Sequence, residues 1–446
     1  MINYRNLIKC FIALFLGSVL AIVIAETIVR AFPYQFMQYS DYRDRFHYQY
    51  DKDIGYINAP NQKSCYSKDC FAIYPIYTNS LGFRDKEWTN KPGFKIALLG
   101  DSYVNATDNS KDSSPSVILG KILNQRVLNA GIGGHGTVTE LIAYRKFLRP
   151  LKPDLVILFF LASNDVTDNS CALNIALKNK NFKPCAYLEE GKIKIETKFD
   201  KLDPKELPGP FLWQVKQFIK QYCSSCTVLY RLSYKKFIYE RKFGPGIKEG
   251  FARYYDLYRA SQDKVWEDAW QITAMTLAEL KKEVEADGAK LIIVSFIDAF
   301  RSRADWTAQY KRHTGFSRLP SNFNPDYPLL RIKTISQKQG IAFLELGPYF
   351  LKYRVKFNLK PPYFSYWCDS HWSPLGHFIA AHILAKYLID HNFLPLSQEE
   401  KLRLLQKIEG DLDLSPQEIL GDKAYRQIYL HGIYTGSSNI AKILED

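Results

Sequence analysis

Hydrophobic positions fall into three kinds of run along the chain. Cys10 to Ala25 (CFIALFLGSVLAIVIA) carries no charge, and Ile8 and Thr27–Val29 extend its apolar character on both sides. Five short runs are built on apolar residues, 95–99, 126–129, 155–161, 289–296 and 341–346, and the third is apolar throughout. Such runs mark strands buried on both faces of a parallel sheet. Between them lie stretches with helical spacing: Val117–Leu123, Thr139–Phe147, Asp263–Ala286, Tyr327–Gln339 and Pro374–Asp390, the last with Pro at its first turn. Strands alternating with helices predict an α/β protein with a five-stranded parallel sheet covered on both faces.

A spanning helix needs roughly 20 mostly apolar residues. The first run reaches that length if Lys9 snorkels at one end and Glu26 sits at the opposite interface. Arg5 and Lys9 at its start favour a cytoplasmic N-terminus and a single-pass anchor, with the rest of the chain on the extracytoplasmic side, periplasmic or extracellular. The rival is a cleaved signal peptide, with Val23 and Ala25 before the cut. The predicted partition is an anchor over 1–30, an irregular Tyr- and Asp-rich collar over 31–90, a main domain over 91–395 and a charged helical extension over 396–446. An insertion over 171–261, rich in Lys, Tyr and Phe, interrupts the main domain, with helices expected near 211–222 and 226–241.

Composition narrows the function. The 446 residues are 46% hydrophobic and 24% charged, too apolar for disorder and too charged for a multi-span membrane protein. A net charge of +14 suits anionic surfaces such as phospholipid headgroups or acidic glycans. No Arg-rich arm, zinc-finger spacing or RNA-binding signature accompanies it, so no nucleic-acid partner is expected. Of the eight cysteines, six outside the anchor form close sequence pairs (Cys65/Cys70, Cys171/Cys185, Cys223/Cys226), which allows short disulfide loops in an oxidising compartment. Cys223-Ser-Ser-Cys226 also fits a redox dithiol or half a zinc site, but no second Cys/His pair stands at metal spacing. No metal and no cofactor are expected.

Sites in parallel sheets lie in the loops beyond the strand C-termini. The first such loop is Gly100-Asp101-Ser102, which places Ser102 at a helix N-terminus unless it is merely a cap. The second is Asn129-Ala-Gly131-Ile-Gly133-Gly134-His135-Gly136. A Rossmann cradle would need an acidic residue about 20 positions later, after a strand; Asp154 precedes the strand instead. The third loop is Ser163-Asn164-Asp165, where Asn164 either offers an N–H to a developing negative oxygen or simply forms a turn. The last is Trp367-Cys368-Asp369-Ser370-His371-Trp372. In an extended segment residues i and i+2 point the same way, so Asp369 and His371 can approach each other. A carboxylate on one imidazole nitrogen leaves the other to take a proton from a serine. His377 reads as structural and His135 as a candidate for the pocket wall.

These four segments, in this order, resemble the blocks of the SGNH (GDSL) esterase/acyltransferase superfamily, over about 90–170 and 262–390. The resemblance implies a flavodoxin-like three-layer fold and a serine mechanism: Ser102 as nucleophile, His371 as base, Asp369 orienting His371, and an oxyanion hole from the Gly134 N–H, the Asn164 side-chain amide and the Ser102 N–H. Two departures stand out. Ser163 occupies the place of a usual glycine, and Asp-x-His-Trp replaces Asp-x-x-His. The Asp-x-His-Trp form is similar to a membrane-anchored branch that includes alginate O-acetyltransferase-like proteins, as is Thr78-Asn79-Ser80-Leu81-Gly82-Phe83-Arg84. The expected function is that of an esterase or deacetylase acting on an acylated carbohydrate or lipid of the envelope. An envelope O-acyltransferase served by a membrane acyl-donor partner is the alternative, and a non-catalytic glycan-binding protein the second. Tyr222, Tyr230, Tyr234, Tyr239, Tyr254, Tyr255 and Tyr258 would stack on sugars or pack on the core.

Overall fold

The alternation of faces along the apolar runs is what builds the centre of the protein. In the computed structural model of the chain, Leu155, Ile157 and Phe159 enter one hydrophobic cluster, while Val156, Leu158 and Phe160 enter another. Successive strand side chains point to opposite faces, so a run apolar at every position needs cover on both. The structure describes residues 4–31, 43–44, 48–66, 74–89, 92–177, 183–197, 225–226, 229, 254–260, 263–296, 307, 310–311, 317–360, 363–366 and 371–429.

The chain begins with helix α1 (Tyr4–Ala31). Its segment Ile8–Ile28 is long and apolar enough to cross a membrane and is not buried among the described residues, although Glu26 near its end accepts from Ser225 N and Oγ (2.8 and 3.0 Å). Short antiparallel strands come next: β1 (Arg43–Asp44), β2 (Tyr48–Asp51), β3 (Gly55–Asn58), β4 (Lys63–Tyr66) and β5 (Tyr74–Tyr77). The main sheet comprises β6 (Lys95–Gly100), β7 (Arg126–Gly131), β8 (Leu155–Phe160), β11 (Lys290–Ser295) and β12 (Ala342–Glu345). Between β8 and β11, the strands β9 (Cys185–Glu189) and β10 (Lys192–Glu196) form a hairpin.

The main sheet is parallel throughout, in the order β12-β11-β8-β6-β7. This doubly wound, flavodoxin-like order reverses direction at β6 and β8, and the crevice beyond their C-terminal ends is the switch point where such folds bind ligands. One face is covered by α3 (Pro115–Leu123) and α10 (Pro374–Asp390), the other by α4 (Thr137–Ala143), α7 (Lys264–Ala286) and α8 (Tyr327–Lys338). The result is the SGNH-like α/β/α fold expected from the sequence, preceded by an apolar helix.

The strands and the helices after 262 begin and end within a few residues of their expected bounds. Asp263 is the N-cap of α7 rather than its first residue, its carboxylate accepting from the Val265 N–H. Helix Thr139–Phe147 instead starts at Thr137 and passes into a π-helical turn over Tyr144–Leu148. The segment read as an irregular collar contains the strands β1–β5, too short for period-two patterning to be visible. Nor does packing break at 90 or 395. Ile54, Ile57 and Phe83 share a cluster with Ala97 and Leu99. Ile408, Ile419, Leu420 and Ala424, from α11 (Gln398–Asp413), α12 (Pro416–Leu420) and α13 (Asp422–Tyr429), share the other with α10. The helices expected near 211–222 and 226–241 lie outside the described residues, apart from Cys226 and Leu229.

Candidate active site

Ser102 opens a single helical turn, α2 (Ser102–Asn105), directly after β6. The Asp101 carboxylate caps that turn by accepting from the Tyr103 N–H (2.9 Å). A close approach keeps the turn against β7: a Cβ on Gly131 would stand 2.2 Å from the Asn105 N. Only glycine allows this, so the strand end and the Ser102 loop are locked together.

His371 reaches Ser102 from the other end of the chain. Its Nε2 lies 2.7 Å from Ser102 Oγ. Two contacts frame it: Ser365 pairs with Trp372 in an isolated bridge, and the Trp372 carbonyl accepts from Asn109 Nδ2 (2.9 Å). The Tyr103 ring lies 5.2 Å from the imidazole, centroid to centroid, and closes one side.

The other imidazole nitrogen meets a residue that the sequence reading did not single out. His371 Nδ1 is 3.3 Å from Asp108 Oδ2, and Asp108 is buried. Asp108 sits on the loop that comes after the Ser102 turn. The buried Arg84 guanidinium holds this loop, with Nη1 donating to the carbonyls of Asn105 (3.3 Å) and Ala106, and Nη2 to that of Asn109 (2.6 Å). Tyr366 Oη donates to Asn109 Oδ1 (2.7 Å). Arg84 ends the Thr78–Arg84 segment noted in the sequence, so that segment supports the loop carrying Asp108. No periodicity signals Asp108; the only available signal was a carboxylate six residues after the serine. Asp369, the partner expected for His371, lies outside the described residues.

Gly134 lies in the loop after β7, exposed and at φ +74°. A Cβ on the preceding Gly133 would stand 3.9 Å from Ser102 Cβ, which places this loop beside Ser102. From α5 (Ala162–Asn169), after β8, Asn164 Nδ2 donates to Asp101 Oδ2 (2.8 Å). One amide hydrogen is therefore used to orient the group, and a primary amide has a second. Ser102, His371, the Gly134 loop and Asn164 converge above the switch point.

Behind this wall lies a set of buried acids. Burial pushes the Asp101 carboxyl above its ordinary range, against the bonds it accepts from Tyr103 and Asn164. Asp165 is raised well above its ordinary value, first by burial and then by the charge of Asp101. Glu140 is raised likewise by burial and by Asp165, and neither of its oxygens has a hydrogen-bond partner among the described residues. His135, expected on the pocket wall, is instead buried against β3, its Nε2–H donating to the Tyr56 carbonyl (3.1 Å). Burial lowers its pKa to about 3. His377 is buried in α10 and lowered to about 3 for the same reason, in keeping with a structural role.

Among the described residues no group of three or more His, Cys, Asp or Glu is placed to hold a metal ion. Cys171 and Cys185 form a disulfide, and Cys226 is also disulfide-bonded. A cavity of about 410 Å³ lies among α9 (Gly347–Lys356), α10 and α11, and contains none of the residues above.

No protein-family model matches the chain, and no curated protein matches it. Solved structures do. A variant of an acetyl-xylooligosaccharide esterase from Geobacillus stearothermophilus is 14% identical, matching 70% of this chain and 100% of that one at a TM-score of 0.35. A protein from Lactobacillus plantarum is 12% identical, matching 68% of this chain and 99% of that one at a TM-score of 0.34. An α/β hydrolase from the metagenome of Lake Arreo, Spain, is 14% identical over 66% of this chain and 93% of that one, at a TM-score of 0.32.

Proposed function

We propose that this chain is a membrane-anchored, serine-dependent ester hydrolase that acts on an acylated glycan or lipid of the cell envelope. The observation that carries the reading is the 2.7 Å contact between Ser102 Oγ and His371 Nε2, with the Asp108 carboxylate on Nδ1. A serine hydroxyl is a weak nucleophile at neutral pH until an adjacent base takes its proton. Here the carboxylate stabilises Nδ1–H, which leaves the Nε2 lone pair facing the hydroxyl.

In the first half-reaction His371 takes the Ser102 proton as Oγ attacks the ester carbonyl carbon. The carbonyl oxygen becomes an oxyanion, met by the Gly134 and Ser102 N–H groups and the free amide hydrogen of Asn164. Each such donor is worth about 3 kcal/mol in the transition state, or ~10²-fold in rate. His371 then protonates the departing alkoxide, leaving acyl-Ser102. In the second half-reaction His371 deprotonates a water as it attacks the acyl carbon, then gives that proton to Ser102 Oγ as the acyl bond breaks, which releases the acid and restores Ser102 and neutral His371.

The envelope location rests on three features. Ile8–Ile28 is able to span a bilayer. Arg5 and Lys9 precede it, which keeps the N-terminus in the cytoplasm. The Cys171–Cys185 disulfide belongs to an oxidising compartment. The decisive test is labelling of the full-length protein in detergent by a fluorophosphonate, with p-nitrophenyl acetate turnover beside it. Labelling and turnover that vanish in Ser102→Ala support the proposal, and a wild type that does neither refutes it. Acetyl found on an added oligosaccharide, in place of free acetate, would redirect the reading to transfer.

A further inference from the structure

The insertion supplies one side chain to the back of the site that the mechanism does not use. We propose that Lys183 is a positioning residue that ties the two halves of the oxyanion hole to each other; this rests on the serine-hydrolase reading above.

Gly134 needs such a tie. It is exposed, at φ +74°, and nothing lies within 4 Å of where its Cβ would stand, so although the neighbouring His135 is buried against β3, the Gly134 position itself stands open. What does reach it is Lys183, whose Nζ donates to the Gly134 carbonyl. The same ammonium pairs with the Asp168 carboxylate. Asp168 lies on α5 one turn after Asn164, on the same rigid element as the carboxamide donor. One cation therefore joins the loop after β7 to the helix after β8. The Asp168 side chain is 10% exposed and that of Lys183 19%, so the pair is shielded from solvent. Charge-assisted hydrogen bonds are shorter and stronger than neutral ones, and a buried carboxylate loses much if its cation is removed.

Lys183 is itself held in place. Cys185, two residues on, is bonded to Cys171, whose helix α6 (Cys171–Ala176) starts just after α5 ends. Ala186 bridges to Ser170, the residue between those helices. Beyond it Ala186 packs with Val138 and Ile272, which seats the hairpin on α4 and α7. The covalent loop thus delivers the lysine from the end of α5 back onto α5 and across to Gly134.

The test uses full-length protein in detergent, p-nitrophenyl acetate turnover and the rate of fluorophosphonate labelling. Lys183→Met is expected to lower kcat roughly 10- to 100-fold, part of what losing one oxyanion donor costs, with KM within twofold. Lys183→Arg, which keeps the charge and the donors, is expected to restore most of the rate. The selective readout is the cycle with Asn164→Ala. If Lys183 acts by aligning the hole, its loss costs much less once Asn164 is gone; a general packing role gives additive losses. Additive losses, or a Lys183→Met rate within twofold of wild type, overturn the proposal. If Lys183→Met does not fold, Lys183→Gln takes its place in the same cycle under the same criteria. A wild type that neither labels nor turns over ester overturns this proposal together with the hydrolase reading. A wild type that labels, with Lys183→Met labelling equally fast, overturns this one alone.

Discussion

Replacing Asp108 by Asn tests the site most directly, because it leaves shape intact and removes only charge. The Asp108 carboxylate is 3.3 Å from His371 Nδ1, and its side chain is 5% exposed. A hydrogen bond to a charged group at such a site is worth about 1.5–3 kcal/mol. Lost from the transition state, where the imidazole carries its second proton, that is about 10- to 150-fold in kcat/KM. The loss grows if the new amide turns its NH₂ toward Nδ1. Nδ1 then becomes the acceptor, Nε2 keeps the proton, and the base faces Ser102 in the wrong tautomer. In a serine triad that error costs about 10⁴-fold. The assay is kcat/KM for p-nitrophenyl acetate, with the melting temperature of each variant as a folding control and Asp369→Asn measured in parallel. Asp108→Asn is expected to fall by at least tenfold with its fold intact. If it keeps more than half the wild-type kcat/KM while Asp369→Asn collapses, the assignment of Asp108 to Nδ1 is refuted.

Removing the Arg84 guanidinium as Arg84→Met takes a donor from three loop carbonyls, of which that of Ala106 keeps the Asn109 N–H (3.2 Å). At about 1–3 kcal/mol for each of the other two, the expected loss is roughly 2–6 kcal/mol, read as a lower urea midpoint; an unchanged midpoint contradicts the role given to that segment. Gly131→Ala forces a Cβ to 2.2 Å from the Asn105 N and 2.7 Å from the Val104 carbonyl carbon, both backbone. It is expected to cost about 3 kcal/mol or more. Gly134→Ala meets no atom within 4 Å and costs only the ~1–2 kcal/mol of its left-handed conformation; equal effects would show that the close approach is wrong. Glu140 keeps its proton in the folded protein to a pH well above its ordinary value of 4.5. Between that value and the raised one the folded state binds more protons than the unfolded, so stability falls as pH rises, by up to about 1.4 kcal/mol per pH unit. Glu140→Gln is expected to flatten the alkaline side of the melting-temperature profile; a superimposable profile in the variant argues against a protonated Glu140.

Much of the architecture was legible because it depends on local pattern. A run such as Leu155–Phe160, apolar at every position, is stable only between two covering layers, so the strand and its central place are set by composition. Pro374 at a helix start and Asp263 before a helical period are local signals as well. The Ser102 loop, the glycine loop and the Asn164 loop stood out because each comes directly after such a strand. The strands between 43 and 77 were not legible, since at two to four residues each they are too short to show a period.

What the tertiary structure alone decided is which distant groups share a space. Nothing near Asp108 in the chain says that it will face an imidazole 263 positions later; the parallel crossovers and the Arg84 staple bring it there. His135, on a glycine-rich loop, looked available for a pocket, yet β3 covers it. Lys183 reads as one lysine among many in a basic insertion until the Cys171–Cys185 bond folds it back onto Gly134 and Asp168. Periodicity and turn chemistry are short-range properties, set by backbone geometry within a few residues. Pairing of a charge, a proton and a cap across the sheet is long-range, and it exists only once the layers have closed.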